Sequence, residues 1–127
     1  MMLLKTDKKN FSKVLQFQKH GLKGRPKQVK AGELGLLAQL RKDVKGQKPI
    51  THVALYKGAR EDTDFETDAI WRKHYRFVVD LENIKKLKEP FDLRDISVRN
   101  YDQVQFNSKI TEDDAAKIIN GGYLDTL

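Results

Sequence analysis

The sequence predicts an α+β fold built on a small, curved, mostly antiparallel sheet or barrel with flanking helices. Two observations carry this. Short segments of strand-like alternation crowd the middle of the chain, and one helix-like pattern lies near each end. Strict alternation of strands and helices is missing, which disfavours a doubly wound parallel sheet. The 127 residues, 39% of them apolar, are expected to form one domain spanning 1–127.

The elements follow in order. Residues 1–5, MMLLK, read as a short opening strand. From about Lys8 to His20 the spacing turns helical, with Phe11, Val14, Leu15 and Gln18 on one face at i, i+3, i+4 and i+7. Asp7 or Asn10 is placed to cap its start, and Gly21 to end it. Residues 21–32, GLKGRPKQVKAG, mix glycine, proline and bases without a period and read as a loop. ELGLLAQL (33–40) is an apolar core strand, and RKDVKGQKP (41–49) a polar turn. ITHVALYKG (50–58) alternates Ile50, His52, Ala54 and Tyr56 against Thr51, Val53 and Leu55, as a strand does.

Residues 59–71 read as a long acidic loop, and 74–84 as the clearest strand. In that strand Tyr75, Phe77, Val79 and Leu81 face one side, with His74, Arg76, Val78 and Asp80 on the other. Residues 85–96 form a connection broken by Pro90, and ISVRNYDQVQF (96–106) a weak strand. The last helix, within 110–122, starts at Thr111-x-x-Asp114, buries Ala115, Ile118 and Ile119, and stops at Gly121.

Several classes of function are disfavoured. There is no cysteine, hence no disulfide, thiolate site or cysteine nucleophile. No apolar run is long enough to cross a bilayer, and the amino terminus is no secretory signal, so a soluble cytoplasmic protein without membrane contact is expected. Neither GxGxxG nor a P-loop occurs, so no nucleotide cofactor is expected. His20, His52 and His74 lie on separate elements without metal-ligand spacing, and EDTDFETD lacks the glycine and spaced oxygens of a calcium loop. No metal and no catalytic residue is assigned.

Charge is the positive signal. Of 25 bases and 18 acids, nine bases and one acid fall in residues 5–30, leaving 16 against 17 elsewhere. A cationic block of this kind attracts phosphate polymers. The expected phosphate contacts are Lys9, Lys13, Lys23, Arg25, Lys27 and Lys30, joined by Arg72 and Arg76. Trp71, Tyr56, Tyr75 and His52 are the expected base pocket, where aromatic faces stack a base. The other reading is that Trp71 and Tyr75 plug one end of the core, and for Tyr75, which leads the apolar face with Phe77, it is the preferred one. With Arg72, Lys73 and His74 following it, Trp71 is expected to form a platform at the pocket rim.

VKAGELGLL, ITHVALYKGA and WRKHYRFVVDLENIKKLKEPFDLRDI together resemble the PUA-like superfamily, especially its EVE and YTH-like branches. The resemblance spans about residues 25–120. It implies a curved β-barrel with flanking helices that binds DNA or RNA, with an aromatic-lined pocket for a modified base, as in DNA-binding domains of McrB-type restriction systems. Glu33 stands where those relatives often have Asp, and the single Trp is fewer than several of their pockets use. An alternative is a small RNA-directed hydrolase of ASCH-like type using Lys57, Asp80 and Glu82, and a third is a protein-interaction accessory domain.

Overall fold

The computed structural model describes residues 1–26, 29–46, 48–93 and 109–124, the side chain of Arg41 excepted. The two longest strands form its spine. β4 (Ile50–Glu61) and β5 (Phe77–Phe91) pair antiparallel from Ile50↔Phe91 to Glu61↔Phe77. Their register shifts three times, and the ribbon accommodates the shifts with left-handed residues, Gly58 at φ 134° and Asn83 at φ 52°. Such bulges bend a ribbon and sharpen its twist.

β1 (Met2–Thr6) runs parallel to β3 (Leu34–Gln39), β3 pairs antiparallel with β4, and β2 (Lys19–Leu22) pairs antiparallel with β5. The order is β1-β3-β4-β5-β2. The expected closed barrel is therefore corrected to an open mixed sheet: strand pairing among the described residues leaves β1 and β2 at its two edges. A side chain crosses the seam instead. The buried His20 of β2 brings Nε2 to 3.2 Å from the Lys5 carbonyl of β1, and its Nδ1 lies 2.9 Å from the Gly21 carbonyl.

α1 (Lys8–Phe17) begins as expected, with the Asp7 carboxylate accepting the Asn10 N–H at 2.8 Å. It ends earlier than expected, because Gln18 turns left-handed at φ 54° and donates its N–H to the Val14 carbonyl. That early stop releases Lys19–Leu22 to form β2, a strand hidden in a stretch that read as helix end and loop. Gly21 serves the sheet rather than the helix: a Cβ there would meet the Tyr75 ring at 2.6 Å.

The acidic segment also differs from its loop expectation. β4 runs on to Glu61, and α2 (Glu66–Trp71) follows. The buried Asp62 carboxylate organises the turn, accepting the N–H groups of Glu66 and Thr67 at 2.9 Å each and the Thr67 hydroxyl. Those amides would otherwise be orphans of the first helical turn. β5 continues through Pro90, in the stretch past Asp80 that β2 leaves uncovered. An edge strand tolerates a missing N–H.

α3 (Glu112–Asn120) is capped by Thr111, whose hydroxyl accepts the Asp114 N–H at 3.2 Å, and stops at Gly121. Its buried stripe is narrower than expected, with Ile118 fully buried, Ala115 half-buried and Ile119 exposed. The expected weak strand at 96–106 lies outside the described residues. Two apolar clusters hold the layers together. One ties α1 and α2 to the sheet through Phe11, Val14, Leu37, Tyr56, Trp71 and Phe77. The other ties α3 to it through Leu3, Leu36, Ile50, Leu87, Phe91 and Ile118. Among the described residues no helix is long and apolar enough to cross a membrane.

Candidate nucleic-acid interface

The aromatic residues expected to form a pocket mostly build the core. Thr67 and Trp71 are four residues apart on α2, so both turn inward; the indole is 8% exposed and meets Tyr75 edge-on at 6.0 Å. Tyr56 is buried in the same cluster, and burial, then Glu33, raises its phenol pKa against the opposing pull of Arg25. Tyr75 is half-buried, with the Lys73 ammonium 5.3 Å from its ring centre. The expectation of Trp71 as an open rim is thus corrected to a packed indole. The reason is α2: a helix, not a loop, sets the direction of that side chain.

The cations are arranged differently. Arg25, from the basic loop, lies over the Phe77 ring at 5.0 Å, and Arg76, from the residue preceding β5, lies over the same ring at 5.2 Å. Phe77 itself is buried. Arg76 also stands 3.7 Å from Glu61, and both are exposed. Among the described residues Lys9, Lys13, Lys23, Arg25 and Lys30 have no carboxylate partner. The base of the loop is held by Glu33, which accepts the Lys30 N–H and the Met1 amino group, and these bonds keep its carboxyl below the usual range. Lys9 and Lys13 stand one turn apart on α1, and Arg72 is the exposed, left-handed C-cap of α2. Lys27 lies outside the described residues.

Of the two carboxylates in the hydrolase alternative, Asp80 is committed elsewhere. Asp80 takes Arg60 on both oxygens, at 2.9 and 3.1 Å, and the Lys19 ammonium at 2.7 Å. Glu66 joins the same network through Arg60 and, at 3.6 Å, Lys19. Burial opposes the Asp80 charge, but the bonds from Arg60 and Lys19 outweigh it and hold the carboxyl low. Lys57 and Glu82 pair with each other at 3.7 Å. Asp62, Asp68 and His74 bring ligand atoms within 4.8 Å of one another. However, Asp62 already accepts three bonds for α2, and His74 Nδ1 lies 2.7 Å from Asp68, so the trio reads as a helix anchor.

His52 is the expected pocket residue that does line open space. A cleft of about 520 Å³ is bounded by Leu15 and Gln18 at the end of α1, His52 of β4, and Asn83, Ile84 and Lys86 of β5. The His52 ring is half-buried, edge-on to Phe11 at 5.5 Å, with Nδ1 2.8 Å from the Thr51 hydroxyl. Burial, then the Lys86 charge, lowers its pKa, so it is neutral at pH 7. Gln18 and Asn83 were not legible in the sequence as site residues. Both owe their positions to left-handed backbone, at φ 54° and 52°, which no local pattern announces.

The chain forms an open five-stranded mixed sheet with helices on both faces and a cationic loop beside it, and similar solved structures share this fold. The chain is similar to the ASCH protein from Zymomonas mobilis, with a TM-score of 0.64 at 7% identity over 94% of this chain and 93% of that one. A tyrosine-to-phenylalanine mutant of that protein gives 0.65 at 7% identity over 94% and 96%. ASCH is a PUA-like fold, so the likeness is to that fold, and it does not reach the EVE or YTH-like branch. At this identity the likeness is one of fold. No known sequence family matches the chain, and no curated protein matches it.

Proposed function

We propose that this domain binds nucleic acid, with Arg25 and Arg76 at the centre of the phosphate-binding face. The observation that carries the reading is their shared seat on Phe77. A guanidinium held against a ring has fewer conformations to lose, and its N–H edges remain available to phosphate oxygens. Arg25 has no carboxylate to give up among the described residues, and the Arg76–Glu61 contact is long and exposed, hence weak. Lys9, Lys13, Lys23, Lys30 and Arg72, with Lys27 from outside the described residues, are assigned the remaining salt-sensitive affinity.

The ASCH-like fold fits the same reading, and RNA is the first ligand to try, with DNA beside it. An aromatic cage for a modified base would require Trp71 and Tyr56 to leave the core, so the proposal stops at the unmodified strand. The hydrolase alternative is less favoured, because Asp80 is held by Arg60 and Lys19; the exposed Lys57–Glu82 contact is weak and decides nothing.

The test is fluorescence anisotropy of labelled single strands and duplexes of RNA and DNA across a salt series. Arg25→Ala and Arg76→Ala are each expected to weaken binding and to lower the slope of log affinity against log salt by about 0.7 for single strands or 0.9 for duplexes. Binding absent at low salt, or slopes unchanged in both variants, rejects the proposal. Strand integrity in the same samples, run on a gel, reads out the hydrolase alternative.

A further inference from the structure

The cleft beneath the end of α1 is separate from the arginine pair. Lys86 lies nine residues along β5 from Phe77, roughly 25–30 Å at about 3.3 Å per residue. Leu15 of α1 and Ile84 of β5 supply apolar walls, while Gln18, Asn83, His52 and Lys86 supply polar groups. Among the described residues the Gln18 and Asn83 amides and the Lys86 ammonium make no hydrogen bond or ion pair. His52 has spent one ring nitrogen on Thr51 and keeps the other. A site that places unspent donors and acceptors between apolar walls suits a flat heterocycle whose edge carries both kinds of group. The ammonium at one end suits an anion attached to it.

We propose that this cleft binds a single nucleotide, with the base between Leu15 and Ile84, its edge met by Gln18, Asn83 and His52, and its phosphate on Lys86. The choice of a nucleotide rests on the nucleic-acid reading above; the cleft itself does not involve Arg25 or Arg76. The strained backbone of Asn83 serves this arrangement, because a left-handed residue at the bulge sets an amide where a regular strand would place none.

The experiment is an NMR titration of the ¹⁵N-labelled chain with the four ribonucleoside 5′-monophosphates, the matching nucleosides and inorganic phosphate alone. At least one monophosphate is expected to shift the Gln18 and Asn83 side-chain amides saturably and to bind more tightly than phosphate. Asn83→Gly keeps the left-handed backbone and deletes the amide, so it weakens that nucleotide roughly three- to tenfold. Lys86→Met brings the nucleotide down to the affinity of its nucleoside. The proposal is overturned by no saturable shift with any of the four, or by phosphate alone reproducing the shifts. Asn83→Gly leaves the salt slope for long strands unchanged, so a failed cleft and a failed phosphate face give different results.

Discussion

The seam histidine offers the sharpest energetic test of this structure. His20 is 5% exposed, and burial pushes its pKa from 6.5 down to about 4, against the carbonyls of Gly21 and Lys5, which favour the charged ring. Unfolded chain therefore binds a proton on His20 at a pH where the native protein does not. The sign follows: the stabilising contribution is complete above pH 6.5 and is lost progressively as pH falls toward 4. At about 1.36 kcal/mol per pKa unit the full loss is roughly 3 kcal/mol, a large part of a small domain's stability. His52 is also lowered and titrates in an overlapping window, while the depressed carboxylates of Asp62, Glu66 and Asp80 act at lower pH.

A difference measurement separates these groups. His20→Gln keeps a donor for the Lys5 carbonyl but cannot titrate. Urea unfolding, followed through the single tryptophan, is compared for the two proteins across the window. Above pH 6.5 their stability difference is expected to be constant, and by pH 4 the wild type is expected to have lost roughly 3 kcal/mol relative to the variant. An unchanged difference would refute the reasoning. So would a wild type that gains on acidification, because the ring would then carry two protons, one for each carbonyl.

Two further outcomes follow from the same packing. Trp71→Ala removes a core indole and is expected to cost about 3–5 kcal/mol in chemical unfolding, while strand affinity of the folded variant stays as in wild type. Loss of affinity without loss of stability would return the indole to the binding face. Asp62→Ala strips the partners of Glu66 N–H, Thr67 N–H and the Thr67 hydroxyl, at a cost of about 2–4 kcal/mol. Since Trp71 closes α2, its emission is expected to shift red as the helix loosens; unchanged stability and emission would show that Asp62 is not the anchor.

Much of the fold was legible because it is written locally. Period-two alternation announced β3, β4 and β5, and the caps Asp7 and Thr111 announced α1 and α3 within a single turn of chain. The cationic block was equally visible, since charge needs no partner to be counted. Tertiary structure decided the rest, because it depended on contacts between distant residues. Lys19 meets Asp80 across 61 positions, and that pairing makes β2 out of an apparent helix end and loop. Asp62 reaches over its own turn to start α2, and α2 then carries Trp71 inward. The Gln18 and Asn83 positions rest on left-handed backbone at a helix end and a bulge, and the cleft between them exists only once α1 lies against β4 and β5. Residue type and spacing specify a face and a period; which faces meet is settled by the packing free energy of the whole chain.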